Sequence, residues 1–307
     1  MIEFADATKF INDFEAVYSK KIVRIPYSTK EGVRKTILMC KCGKTYISLP
    51  YMSLGVIENR TTDRKTAPFM LFETEEGNII STSKKNWEIR DTAAHSPYIY
   101  ADKIFTWINI TDKDDVMDLY TSNVRRKIRK SLKGGIVVKS GSSKKLIRDF
   151  YHAYLLRMKE ISVAPFSKQI IKNSVKVGMT TIFVAYKDNK IVGGATLNDM
   201  YNGVLANGLF ATPFEYNKYY VSYNLHYSMM RFAKEKDAVY YSFGRSTRNS
   251  NVHHYKMHYK GEDIPLYWSY SRKKKNIRDM KLLYWLWSKL PDSLTKYLGP
   301  IVSRYVY

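Results

Sequence analysis

The stretch Val239–Trp268, VYYSFGRSTRNSNVHHYKMHYKGEDIPLYW, holds the decisive change of pattern in the chain. Apolar residues from Ala238 to Phe243 predict a strand, and Gly244 ends it. Arg245, Ser246, Thr247 and Arg248 follow at once. Then come His253 and His254, the aromatic–lysine pair Tyr255–Lys256, and a second strand over Ile264–Tyr270. A strand that opens into a loop dense in cations and hydroxyls sets ligand-binding groups on a rigid scaffold.

Moving outward toward the N-terminus, Tyr220–Lys236 has helical spacing, with Leu225, Met229 and Phe232 inward. Before it, TTIFVAYKDNKIVGGATLNDMYNGVLANGLFAT (180–212) predicts three strands. They are joined by a tight turn at Asp188-Asn189-Lys190 and a second near Tyr201-Asn202-Gly203. Lys145–Glu160 reads as a helix with Leu146, Phe150, Tyr154 and Met158 on one side, and Ser167 caps another that runs through Val177. The order is helix, helix, three antiparallel strands, helix, strand, loop, strand.

The segment Ser122–Gly135, SNVRRKIRKSLKGG, is the most basic. Val124, Ile128 and Leu132 recur every four residues and predict a narrow inward stripe, with Gly134 and Gly135 suited to the C-terminal cap. Arg125 and Arg129 are the phosphate-facing candidates; a plain solvated helix face is the alternative. Further upstream, residues 8–20 have helical spacing. Strands are expected at Thr36–Cys40, Thr45–Pro50, Glu88–Asp91 and Phe105–Ile110, and a helix at Asp112–Tyr120 capped by Asp112 or Thr111. Pro50 and Gly55 mark a bend.

A chain of 307 residues is long for one core and favours two domains, and 45% hydrophobic residues exclude wholesale disorder. Lys and Arg number 51 against 28 acids, a formal net charge of +23. That excess fits work near polyanions or an acidic membrane surface, or a simple solubility charge. Glu3, Asp6 and Asp13 interrupt the place where a leader would need an apolar run, and no stretch reaches membrane-spanning length; a cytoplasmic protein is expected. Cys40 and Cys42 lie two apart, so a strand would turn both to one face. No cluster of Cys or His completes a metal site, and no metal is expected. The tail from Ser271 has a basic start and then Leu282–Trp287, which fits packing on the second domain or contact with a membrane surface.

The order of elements is similar to the acetyltransferase-like (GNAT) fold, in which the fourth and fifth strands splay apart and the donor enters the gap. Those strands would be Val204–Thr212 and Ala238–Phe243. The sequence also resembles the Fem-type (FemABX-like) peptidyltransferases, and more closely their relatives beside exopolysaccharide gene clusters. The matching pieces are SLPYMSLG, NWEIRD, NVRRKIRKSLKGG, RDFYHAYLLRM with APFSKQI, KIVGGATL, FGRST, HHYKMHYKG and KLPDSLTKYLGP, in order along most of the chain. The resemblance implies an α+β protein of tandem GNAT-like domains, with mixed, mostly antiparallel sheets flanked by helices. The expected domains are 1–140, 141–272 and a helical tail at 273–307. It implies acyl transfer to an amine, with aminoacyl-tRNA as donor, a lipid- or nucleotide-linked cell-wall precursor as acceptor, and no metal or resident cofactor. It also places Lys256 at the reaction centre. Two departures stand out: Ser242 where relatives often carry an acid, and Lys260 before the glycine that arrives at Gly261.

Acyl transfer from an ester to an amine passes through a tetrahedral oxyanion, which a preorganised cation stabilises. Lys256 is the candidate for that role. Arg245, with its planar fork, and Ser246 are candidates to hold a phosphate of donor or acceptor, and Tyr255 to bind or orient. His253, His254 and His258 titrate in a useful range, but none is singled out as the base. An acyl-CoA donor needs backbone N–H groups in a glycine-containing loop before the helix after the fourth strand. Here that loop is Pro213–Val221, PFEYNKYYV, without glycine and with the acidic Glu215. Three functions are therefore in play: an aminoacyl-tRNA-dependent transferase, an acyl-CoA N-acyltransferase acting on an amino sugar, and a polyanion-binding scaffold without turnover.

Overall fold

The computed structural model describes residues 1–60, 67–201 and 203–273, together with 290, 291, 294, 298, 299, 301 and 302. The aromatic run at 282–287 and the basic start of the tail from residue 274 lie outside the described residues, as does position 202 of the expected second turn. The chain forms two compact units. The first comprises Met1–Phe105, Arg245–Arg248 and the segment from Asp263; the second comprises Thr106–Gly244 and Asn249–Glu262. The break falls at 105/106 rather than near 140, and the chain re-enters the first unit twice. A division placed at one point along the sequence cannot represent that path.

In the first unit, helix α1 (Thr8–Tyr18) follows strand β1 (Ile2–Phe4) and buries Phe10, Ile11, Phe14 and Val17, the spacing its sequence predicts. Strands β2 (Ile22–Ser28) and β3 (Arg34–Cys42) pair antiparallel, and β4 (Thr45–Ile47) turns back on β3. The expected strand to Pro50 stops at Ile47, because Leu49 and Tyr51 take positive φ in the bend. Beyond it, β5 (Val56–Glu58) joins β1 and β3, while β6 (Leu71–Glu73) and β7 (Ile79–Ser81) extend the sheet past β2. Strand β8 (Asn86–Asp91) lies beside β4. Strand β9 (Ile99–Asn109) starts in the first unit and ends in the second. Ile25, Ile37, Met39, Trp87 and Ile89 form the core of this unit. Cys40 is buried and Cys42 half-buried on the same strand. The buried carboxylate of Glu58 accepts from the Ala7 N–H and from Arg24, each at 3.0 Å, which compensates its loss of water.

The second unit opens with a short 3₁₀ turn, Val116–Leu119, capped by Asp115. It stands where a helix from Asp112 was expected; three of the first four residues are acidic and polar, and no inward stripe begins before Val116. Helix α2 (Ser122–Lys133) is capped by the Thr121 hydroxyl. Val124 and Ile128 are buried as expected. Leu132 is not: it is 46% exposed, and Ser131 takes the inward place, because 3.6-residue periodicity drifts off a strict four-residue repeat.

Strand β10 (Val137–Gly141), helix α3 (Lys144–Glu160) and helix α4 (Lys168–Lys176, capped by Ser167) lead to strands β11 (Thr180–Lys187), β12 (Lys190–Asp199) and β13 (Val204–Ala211). Asp188 and Asn189 have φ of 50° and 62°, the left-handed pair that a two-residue hairpin requires. Along β11, Ile182 and Val184 face the cluster of α3 and α4, while Phe183 and Ala185 face α5 (Val221–Glu235), the period-2 alternation of a sheet covered on both sides. Gly194 permits the close fit of α3: a Cβ there would stand 2.9 Å from the Phe150 ring.

After α5 comes β14 (Tyr240–Thr247), which pairs parallel with β13, completing the order β10-β11-β12-β13-β14. Helix α6 (Asn251–Met257) and strand β15 (Glu262–Tyr270) follow, and β15 pairs antiparallel with β8 through Tyr267–Tyr270 in the first unit. Among the described residues, no helix is long and apolar enough to cross a membrane.

Candidate active site

Strands β13 and β14 are paired only over Val204–Ala206 and Tyr240–Ser242, although both run on. They part beyond that point. The reason is local. Gly244 has φ +72°, and a Cβ on it would lie 2.7 Å from the Asn207 carbonyl oxygen, so only glycine lets β14 turn there. Asn207 is itself committed elsewhere: its buried side-chain amide donates to the Thr196 carbonyl at 3.2 Å.

The segment expected as a loop after β14 is instead a short helix, α6. Ser250 caps it by accepting from the His253 N–H at 3.2 Å, and His253 Nδ1 accepts from the Asn249 N–H at 3.0 Å. Seven residues are too few for a periodic pattern to announce a helix, but the serine cap was readable. Helical spacing puts His253 and Lys256 on the inner face, and His254 and His258 are exposed. Lys256 is 4% exposed, and its Nζ donates to the Gly244 carbonyl at 2.6 Å. That bond fixes an ammonium group in the interior of the second unit, at the glycine where β14 turns from β13.

Around it stands a cluster of rings. The Tyr255 and Tyr259 hydroxyls are 2.8 Å apart, and Tyr223 lies 5.1 Å from Tyr255 and 5.8 Å from Tyr259. His226, on α5, stacks on Phe210 of β13 at 4.6 Å and lies 5.0 Å from Phe243 of β14. Its Nδ1 is 2.7 Å from the Tyr241 hydroxyl. Burial, and secondarily the Lys256 charge, push the His226 imidazole down to about 3, so it is neutral at pH 7. Burial also raises the Tyr255 and Tyr259 phenols above their ordinary range, so neither is a phenolate base at neutral pH. His226 was missed in the sequence. Its signal was a polar residue on the apolar stripe of Leu225, Met229 and Ala233.

Tyr255 and Lys256 both lie in the second unit. Arg125 and Arg129 are in the same unit on α2: Arg125 donates to the Tyr120 carbonyl at 2.8 Å, and Arg129 is exposed. Arg245 and Ser246 belong to the first unit. There the Arg245 guanidinium lies 5.2 Å from the Trp268 ring, whose other cationic neighbour is Arg90 at 4.4 Å. Ser246 is buried, and its Oγ has no hydrogen-bond partner among the described residues.

The loop before α5 contains a 3₁₀ turn, Phe214–Tyr219, and then Tyr220 at φ 55°, with no side-chain cap on the helix. The Phe214 N–H is held by the Glu160 carboxylate at 3.0 Å. A carboxylate bound at the start of this turn is unfavourable to a pyrophosphate. Among the described residues, no group of three His, Cys, Asp or Glu side chains could hold a metal ion.

The fold is Fem-like. The chain is similar to the crystal structure of FemX, with a TM-score of 0.57 at 11% identity, covering 90% of this chain and 93% of that one. It is similar to L-PGS from Bacillus licheniformis (TM-score 0.52, 12% identity, 94% of this chain and 99% of that one). It is also similar to the C-terminal domain of a putative lysylphosphatidylglycerol synthetase from Agrobacterium fabrum (TM-score 0.54, 10% identity, 83% and 85%). No family model and no curated protein sequence matches the chain.

Proposed function

We propose that the protein is an acyltransferase that moves an aminoacyl group from aminoacyl-tRNA to an amine of a lipid- or nucleotide-linked saccharide precursor of cell wall or surface polysaccharide. The carrying observation is the buried Lys256 ammonium, held 2.6 Å from the Gly244 carbonyl where the two central strands of the second unit part. The Fem-like fold supports the reaction class, and the resemblance along the sequence supports the donor and the acceptor.

In the step proposed, the acceptor nitrogen attacks the ester carbonyl, a C–N bond forms and the C–O ester bond breaks. The terminal ribose oxygen leaves with a proton, and the amine loses one. Lys256 is the catalytic residue: its fixed positive charge lowers the energy of the oxyanion between attack and expulsion. The low dielectric around it strengthens that interaction. Tyr255 and Tyr259, protonated at working pH, orient and exclude water rather than take the proton. The neutral His226 keeps a second charge away from Lys256. The reaction belongs in the cytoplasm, where charged tRNA is available.

An acyl-CoA donor fits less well, because the turn before α5 lacks glycine and already holds a carboxylate. A donor screen tests the assignment: purified protein, acceptor extract, and either charged tRNA or acyl-CoA carrying a labelled acyl group. Label should pass to the acceptor from charged tRNA; transfer from acyl-CoA alone would reject the proposed donor.

A further inference from the structure

Helix α2 carries six cations and no acid: Arg125, Arg126, Lys127, Arg129, Lys130 and Lys133. Elsewhere several cations pair with carboxylates: Lys9 with Asp13, Lys21 with Glu15, Arg24 with Glu58, Lys35 with Glu3, Lys145 with Asp149, Arg157 with Glu160. On α2, among the described residues, none does. Arg125 donates to a backbone carbonyl, Arg126 to the Asn123 side chain at 3.0 Å, and Lys127 to the Tyr223 hydroxyl at 2.8 Å.

Arg126, Arg129, Lys130 and Lys133 are all exposed and stand at i, i+3, i+4 and i+7, so they form one stripe along one face. The helix dipole favours Lys130 and Lys133 in the last turn, but it opposes Arg125 and Arg126 near the N-terminal end. Like charges at these spacings repel, and among the described residues no carboxylate offsets them. The stripe is therefore built for an anionic partner rather than for the stability of its own helix.

The position of the helix says which anion. Lys127 lies 4.6 Å over the ring of Tyr223, and Tyr223 packs 5.1 Å from Tyr255, the neighbour of Lys256 in sequence. Lys127, beside the stripe on the same helix, thus joins α2 to the ring cluster of the candidate active site within the same unit. An amphipathic membrane helix would need an apolar outer strip, and Leu132 is the one large apolar side chain α2 exposes. A row of four separated cations suits successive phosphates of a nucleic-acid backbone.

We infer that the outer face of α2 is the docking surface for the phosphate backbone of the RNA that carries the acyl donor. The assignment of the donor rests on the function proposed above; the binding face is new. Four phosphate contacts give a log–log salt slope of about −3.6, so affinity should fall about a hundredfold between 50 and 200 mM salt.

The test is fluorescence anisotropy of labelled, uncharged tRNA with the full chain, across that salt range. The triple variant Arg126→Ala/Arg129→Ala/Lys133→Ala removes three contacts and should flatten the slope by about 3 and weaken binding about thirtyfold or more at low salt. Alanine preserves the helix, and a thermal melt checks it. Lys44→Ala/Lys84→Ala/Lys85→Ala, three exposed lysines of the first unit, should leave both quantities unchanged. Equal losses in the two triples would mean diffuse attraction and overturn the assignment. So would an unaltered slope in the α2 triple, or loss of binding to phosphatidylglycerol vesicles with tRNA binding intact. Because uncharged tRNA is used, failure of acyl transfer with α2-dependent binding retained would count against the proposed reaction and not against this surface.

Discussion

Replacing Gly244 by alanine should damage the protein in two separable ways. The residue sits at φ +72°, where an L side chain costs about 1–2 kcal/mol relative to glycine. The new Cβ would also stand 2.7 Å from the Asn207 carbonyl oxygen, and backbone must move to relieve that contact, which adds about 1 kcal/mol. A total loss of about 2–3 kcal/mol follows, read as a lower urea midpoint at unchanged slope. The second effect is chemical. The Gly244 carbonyl holds the Lys256 ammonium, so a carbonyl displaced by a few tenths of an ångström carries the charge with it. Turnover of the folded variant should fall at least tenfold while donor affinity holds. A Gly244→Ala protein within 0.5 kcal/mol of the parent would show that the turn at the strand divergence is not glycine-dependent, and the geometric reason given for the parting of β13 and β14 would be lost.

Three further outcomes follow from buried charge and buried rings. His226 is neutral because its folded value is depressed to about 3 from an ordinary value near 6.5, so the unfolded chain gains a proton first as pH falls. Stability is unaffected above about pH 6.5 and declines below it by up to about 1.4 kcal/mol per pH unit. His226→Phe should remove that component of the slope between pH 6.5 and 4 in denaturation curves, whereas an unchanged slope would assign it to other groups. In the first unit, Arg24→Ala would leave the Glu58 carboxylate buried with the Ala7 N–H as its donor among the described residues, and should cost about 3 kcal/mol. Glu58→Gln in the same background should recover part of that loss; if it recovers none, the charge is not the cause.

Much of the second unit could be read along the chain because its signals are local. The Asp188–Asn189 turn, the Ser167 hydroxyl at a helix start, and the alternation along β11 all sit within a few residues of the structure they specify. The Tyr255–Lys256 motif was legible in the sequence, whereas the burial of Lys256 was not. What escaped depends on residues far apart in sequence. The cluster of His226 with Tyr241, Phe243 and Tyr259 spans α5, β14 and the turn after α6. The return of Arg245–Arg248 to the first unit likewise has no local mark. Leu132 shows the opposite failure, where a local pattern was followed one turn too far: its apolar character suggested burial, and packing chose Ser131.

The role of Lys256 is tested most directly by single-turnover transfer from saturating charged tRNA, comparing the parent chain with Lys256→Ala. Loss of a preorganised oxyanion donor should lower the rate of the chemical step by about 10²–10³, with tRNA affinity within about twofold of the parent. A rate within a factor of three of the parent would remove the buried ammonium from the reaction.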